Sequence, residues 1–211
     1  MRNRNMASEP STPSGGEPVV TRPLEAGDWE VVEALFGARG ACGGCWCMSW
    51  RVPSHGRAWE ERKGEPNRLA LKQLVEGGRV HAVLACSANH PVGWCCLGPR
   101  EDFPRLMASR ALASPEAPGL WSVVCFFIPS RWRGIGVGGR LLMGAIDLAR
   151  PRGASTLDGY PAKVGSRPMP GAFAWTGVPR LFERAGFRPL PGREGRRPIF
   201  RLDLGGQATR S

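Results

Sequence analysis

Tyrosine is almost missing from this chain; Tyr160 is the only one in 211 residues. Lysine is nearly as scarce, confined to Lys63, Lys72 and Lys163, so arginine carries most of the positive charge. No apolar run approaches the ~20 residues that a bilayer crossing needs, which excludes a membrane-spanning helix. The opening MRNRNMASEPSTPSGGEP lacks the apolar stretch of a secretory signal, so a cytoplasmic protein is expected. A disulfide framework is not expected either. The seven cysteines are odd in number, and Cys42, Cys45, Cys47, Cys95 and Cys96 lie too close together for one. Reduced thiols are the default. Internal repeats are absent.

What is present suits one globular domain. Hydrophobic residues make up 42% of the chain, enough for a sizeable core. Residues 1–18, rich in Ser, Pro and Gly, read as a disordered leader, 19–204 as the domain and 205–211 as a flexible tail. The formal net charge of +11 is unevenly placed: residues 1–130 hold 14 Lys/Arg against 13 Asp/Glu, and residues 131–211 hold 15 against 5. Such a field either concentrates an anionic ligand near the second half or reflects a solvated basic surface, and both readings stand at this point.

Periodicity supplies the elements. Val19–Arg22 is a β-prone run. Asp28 is placed to cap a helix carrying Trp29, Val32, Leu35 and Phe36, which Gly37 stops. Residues 38–66 form a long irregular segment, and Asn67 opens a second helix with Leu71, Leu74 and Val75 on one face. Arg79–Cys86 and Val92–Leu97 read as an antiparallel hairpin. Residues 101–113 form a helix or an ordered crossover. Leu120–Ile128 is a continuous apolar run, the mark of a strand buried on both faces. The next helix carries Val137, Leu141, Leu142, Ala145, Leu148 and Ala149 as a stripe. Ser155–Tyr160 is a strand, 161–176 a loop, Gly177–Ala185 a helix and Ile199–Leu204 a last strand. The order β-α-α-β-β-β-α-β-α-β predicts an α/β fold with a mixed sheet and helices on its faces.

Between the apolar strand and the helix stands Arg133-Gly-Ile-Gly-Val-Gly-Gly139. The first N–H groups of a helix lack internal partners and carry the positive end of its dipole. Glycines let that backbone approach phosphate oxygens closely, and Arg131, Arg133 and Arg140 add charge. Two phosphate motifs fit poorly. A dinucleotide-binding Gly-x-Gly-x-x-Gly should open the first βαβ unit, and here the following strand offers only Asp158. A P-loop needs Gly-Lys-Ser/Thr, which is absent.

The pattern Arg133-x-x-Gly136-x-Gly138 after a strand ending at Pro129 resembles the pyrophosphate-binding motif of the GNAT N-acyltransferase superfamily. Leu181-Phe182-Glu183-Arg184-Ala185-Gly186-Phe187 resembles its later helix and closing Gly-Phe, and the likeness spans roughly residues 19–204. It implies a mostly antiparallel twisted sheet, helices on both faces and a splayed strand pair. It implies an acetyl-CoA or other acyl-CoA donor, whose pantetheine arm would pair with the backbone of Phe126, Phe127 and Ile128. The amides of Gly134, Ile135, Gly136, Val137, Gly138 and Gly139 would hold the pyrophosphate. A small-molecule amine would attack the thioester directly. Two alternatives remain open: a donor of the aminoacyl-tRNA type, which a basic half would suit, and a degenerate domain that only binds CoA. A monomer and a homodimer are equally compatible.

Many superfamily members place a tyrosine acid four residues before the closing Gly; here that position is Phe182. Tyr160, at the end of the strand beside the implied slot, is the substitute candidate, against its reading as an ordinary strand-end residue. Glu33 and Asp102 would act only through water. His55, His81 and His90 are isolated, and Cys125 reads as a buried structural thiol. Cys42-x-x-Cys45 has a zinc spacing, but no second pair completes four ligands, so no metal is expected. In the superfamily the segment between the first two helices shapes the acceptor pocket. Trp46, Cys47, Met48 and Trp50 would line it and Arg51 would meet an acceptor carboxylate; the same residues also read as a satellite hydrophobic cluster.

Overall fold

The computed structural model describes residues 17–52, 56–162, 175–193 and 197–205. The leader up to residue 16, the tail from 206, His55 and most of the 161–176 loop lie outside them. The strands are β1 (Val19–Pro23), β2 (His81–Ser87), β3 (His90–Pro99), β4 (Leu120–Phe127), β5 (Thr156–Gly159), β6 (Arg188–Pro189) and β7 (Phe200–Asp203). The helices are α1 (Trp29–Phe36), α2 (Arg57–Glu60), α3 (Glu65–Glu76), α4 (Pro104–Met107), α5 (Val137–Ala149) and α6 (Pro179–Arg184).

The sheet runs β1-β2-β3-β4-β5-β7-β6, antiparallel everywhere except β4–β5. That pair is parallel because α5 makes the crossover between its strands. Alternate strand residues face opposite layers. Ala82, Leu84, Trp94 and Cys96 pack with α1 and α3, whereas Val83, Ala85, Cys95 and Leu97 pack with α5 and α6. The stripe from Val137 to Ala149 is buried as its spacing predicts. Helix α5 lies so close to the sheet that a Cβ on Gly93 would sit 2.9 Å from Leu141 Cδ1, and one on Gly144 2.9 Å from Val83 Cγ1. No helix is long and apolar enough to cross a membrane among the described residues.

Several local expectations are corrected. Asp28 does not cap α1: its carboxylate accepts from Arg22 Nη1 and Nη2 at 2.6 and 2.7 Å and from the Glu25 N–H at 2.7 Å. Those three donors occupy the oxygens that the first helical turn would need. Helix α3 begins at Glu65, not Asn67, since Pro66 fits a first turn whose N–H would be unpaired anyway. Asn67 is buried and donates to the Gly44 carbonyl at 3.2 Å. Residues 101–113 break into α4 and flanking tight turns. The two-residue β6 is too short to show any periodicity in sequence.

Candidate active site

The site begins with an irregularity in β4. Cys96 pairs with Cys125 and Leu97 with Val123, which leaves Val124 as an extra residue. Such a bulge bends a strand and re-aims its side chains. Val124 and Cys125 therefore both face the α1/α3 layer, and the Val124 carbonyl accepts from the buried Trp50 Nε1 at 3.0 Å. Pairing with β5 ends at Val123↔Gly159. Beyond it the Phe126 N–H donates to the Trp175 carbonyl at 2.6 Å instead. The strand pair is splayed.

Downstream, the chain turns at Ser130–Trp132, with Trp132 buried as an anchor. Arg133 Nε donates to the Ile128 carbonyl at 2.8 Å, tying the turn to the end of β4. Gly134 and Gly136 have φ of +81° and +89°, a region that side-chain-bearing residues avoid. A Cβ at Gly134, Gly136 or Gly139 would meet nothing within 4 Å, so this backbone faces open space. The amides of Gly139 and Arg140 fold back on the Gly136 carbonyl at 3.1 and 3.2 Å. Those of Val137 and Gly138 have no acceptor among the described residues.

A slot of about 290 Å³ runs from this turn to the splay, walled by Phe126, Phe127, Ile128, Arg133, Gly134 and Gly138 on one side and by Gly177, Val178 and Leu181 on the other. A second cavity, of about 240 Å³, shares Cys42, Phe126, Phe127 and Trp175 with the slot. Phe36, Trp50 and Trp59 are its further aromatic walls, Cys45, Cys47 and Cys125 also face it, and Lys63 is its one charged lining residue.

The other turn residues surround the slot without lining it. Arg131, Ile135, Gly136 and Arg140 are exposed, Gly139 is half-buried, and Val137 is anchored in the core. From the 46–51 segment, Cys47 and Trp50 reach the second cavity and Trp46, Met48 and Arg51 do not. Positive φ at Trp46 and Cys47 turns the chain. It stacks Trp46 on Trp29, with ring centroids 5.9 Å apart. The Arg51 guanidinium lies over Phe103 at 5.0 Å, with Nη2 3.9 Å from Cys96 Sγ, and lines neither cavity. Phe36, Trp59 and Trp175 were not singled out by sequence. Phe36 belongs to a core stripe, and nothing local tells which loop tryptophan meets a cavity.

The acid–base candidates sit elsewhere. Tyr160 is fully buried, its hydroxyl accepting from Arg100 Nη1 at 2.6 Å and lying 2.9 Å from Ser122 Oγ, and it lines neither cavity. The Phe182 ring is held between two glycines: a Cβ on Gly159 would come within 2.1 Å of it, and one on Gly177 within 2.7 Å. Glu33 is bound by Arg68 Nε at 2.6 Å. Neither Glu33 nor Asp102 lines the slot. His81 stacks on Trp121 at 4.8 Å, and burial lowers its pKa; His90 is exposed. No group of three or more His, Cys, Asp or Glu residues among those described is placed to hold a metal.

Burial pushes the Tyr160 phenol up to about 12, against the partial relief of the Arg100 charge. As it is the only tyrosine, the near-ultraviolet phenolate signal of the native protein should titrate near that value, and near the ordinary ~10 in denaturant. The folded state then holds the proton more tightly than the unfolded one. This contribution to stability is intact below about pH 10 and is lost as pH rises toward 12. A native midpoint close to 10 would contradict this burial.

An acetyltransferase (GNAT) family model matches residues 47–167, more than half of the chain. The chain belongs to the GNAT acetyltransferase family. Solved structures share the GNAT fold along nearly their whole length. One is the PaiA N-acetyltransferase from Thermoplasma acidophilum in complex with coenzyme A (TM-score 0.51, 13% identity, 88% of this chain and 99% of that one). A second is an N-acetyltransferase from Staphylococcus aureus Mu50 (TM-score 0.51, 13% identity, 89% and 99%). A third is AAC(6')-Ib in complex with ribostamycin and coenzyme A (TM-score 0.52, 12% identity, 92% and 99%). At these identities the likeness is one of fold. A search of curated protein sequences returns no match.

Proposed function

We propose that this GNAT protein transfers an acetyl or other acyl group from acyl-CoA to the amine of a small molecule, by direct attack on the thioester. The observation that carries the reading is the junction of the two cavities at the β4 splay, where Phe126, Phe127 and Trp175 wall both. One cavity opens toward unpaired helix amides and Arg133, a setting suited to a pyrophosphate. The other ends among aromatic side chains, a setting suited to an organic acceptor. The coenzyme A held by the Thermoplasma and AAC(6')-Ib proteins supports the donor assignment.

On the β4 edge the Phe126 N–H is already given to Trp175 and the Ile128 carbonyl to Arg133. The Phe126 carbonyl and the Ile128 N–H are left for the amides of a pantetheine arm, because alternate residues of a strand address the same edge. Thiolate is a good leaving group, so departure of CoA does not demand the acid that Phe182 cannot supply.

Thermal stability in the presence of acetyl-CoA, CoA, NADH and deacylated tRNA tests the donor. A ligand at 100 times its dissociation constant stabilises by about 2.7 kcal/mol. For a domain of this size that raises the melting point by roughly 5–10 °C. The expected result is such a rise for both CoA species and none for NADH. A salt-sensitive rise with tRNA and no response to CoA would overturn the reading.

A further inference from the structure

The second cavity is as informative for what it lacks as for what it holds. Neither it nor the slot is lined by an Asp, Glu or His among the described residues. Its one charged lining residue, Lys63, is bound by both Glu60 oxygens at 2.7 Å, so the rim offers no unpaired charge. The remaining walls are rings and thiols, together with Ala41, Gly43 and Ser49, whose hydroxyl accepts from Arg105 Nη1 at 3.0 Å. Trp50 and Trp175 lie 5.6 Å apart at 41°, and Phe36 and Phe127 5.4 Å apart at 77°. These faces converge on a space of about 240 Å³. Benzene fills an engineered cavity of about 150 Å³, so one substituted ring or a fused pair is the size that fits.

We infer that the acceptor of this site is an arylamine-type nucleophile: a flat, apolar molecule whose amino group is uncharged at neutral pH. This rests on the acyl-CoA-dependent reading above and deepens it. An alkylamine with an ammonium value near ~10.4 is on the order of 0.1% neutral or less at pH 7. To react here it would shed a proton with no carboxylate or imidazole among the described lining residues to take it, after losing its hydration among rings. A polycationic acceptor would meet no carboxylate among the described lining residues of either cavity. The thiols of Cys45, Cys47 and Cys125 supply none either. Burial pushes Cys45 up, and Cys47 is pushed well up, by its hydrogen bond to Cys125 and then by burial. In Cys125 the bond from Cys47 pulls the value down but burial outweighs it. All three stay protonated at neutral pH.

An amine conjugated to a ring meets none of these obstacles, because its lone pair is available and its conjugate acid dissociates well below neutral pH. Its nitrogen attacks the thioester carbonyl carbon and a C–N bond forms. Collapse of the tetrahedral intermediate breaks the C–S bond, with the electron pair going to sulfur. The proton lost by nitrogen passes to the departing thiolate, directly or through water. The products are an anilide and CoA thiol. No base or acid side chain is required.

The test measures CoA thiol release from acetyl-CoA by the full chain, comparing aniline and 2-aminonaphthalene with benzylamine and spermidine. Aniline should exceed benzylamine in kcat/KM by about 10-fold or more at pH 7, since benzylamine is almost wholly cationic there and the apolar walls exclude the cation. Its kcat/KM should stay flat across the histidine range of pH. Trp59→Ala, which removes a half-buried side chain on an otherwise exposed helix away from the slot, should raise the aniline KM about 10-fold and leave the acetyl-CoA melting shift unchanged. Preference for benzylamine or spermidine, or a pH profile governed by an enzyme base, overturns the inference while the acyltransferase reading stands. So does a larger melting shift with benzoyl-CoA than with acetyl-CoA and no turnover of any amine, which would give the cavity to an acyl chain. Absence of any CoA-induced shift removes the underlying reading itself.

Discussion

Acetyl-CoA should bind the Gly136→Trp variant roughly 100-fold more weakly than the wild type. Gly136 stands immediately before α5 at φ +89°, and a Cβ there would meet no heavy atom within 4 Å. An indole side chain at this position therefore leaves the backbone into open space. It occupies the space in front of the Val137 and Gly138 amides that a pyrophosphate would need. Hydrogen bonds to a charged group contribute about 1.5–3 kcal/mol each, so losing two of them costs about 3 kcal/mol. A residue other than glycine in the left-handed region also strains the backbone by roughly 1–2 kcal/mol. That strain lowers the melting point of the unliganded variant by a few degrees and is read separately. Calorimetric titration of both proteins decides the matter. A dissociation constant within a factor of about 3 of wild type would mean that the turn does not hold the phosphates.

The second large effect lies outside the site. Arg201→Met should destabilise the fold by about 3–5 kcal/mol, the usual result of stranding a buried charge. Asp158 in the middle of β5 is completely buried and accepts from Arg201 Nε at 2.8 Å, Arg201 Nη2 at 3.0 Å and Ser114 Oγ at 2.5 Å. Arg201 sits opposite Asp158 on β7, so the pair also fixes the register of the two strands. Truncation of the arginine leaves the carboxylate with one hydroxyl donor inside the fold. The double variant Arg201→Met/Asp158→Leu should recover much of the loss, because no charge then remains buried. Urea unfolding of the three proteins measures this. Additive losses in the double variant would show that shape, and not the buried charge, dominates.

The elements around the donor slot are legible in the sequence because each announces itself locally. The apolar run from Leu120 to Ile128 allows little but a buried strand. The 3.6-residue stripe from Val137 to Ala149 allows little but a helix packed on it. Glycines between them, at the N-terminus of that helix, lead the sequence to predict an anion site by the chemistry of unpaired amides. The same local logic misreads Asp28, a sound cap by type. Its oxygens go to Arg22, and that choice depends on where β1 ends and not on the helix it precedes.

What the sequence determined by itself was the main strands and helices, the glycine turn before α5 and the family whose motif that turn resembles, since all three rest on spacing along one chain. Tertiary structure alone decided the second cavity and where the catalytic candidates lie relative to it. That cavity draws on Phe36, the Cys42–Trp50 segment, Trp59, Cys125–Phe127 and Trp175, five stretches far apart in the chain. The bulge at Val124 exists only through the register with β3, and it is this extra residue that turns Cys125 into the cavity. Tyr160 is an acid candidate by residue type, yet it is held by Arg100 and Ser122 and lines neither cavity, while the Phe182 ring is closed between Gly159 and Gly177. Spacing reports which face of an element a residue occupies; whether that face meets a cavity, a partner charge or solid packing is set by strands and helices that lie elsewhere in the chain.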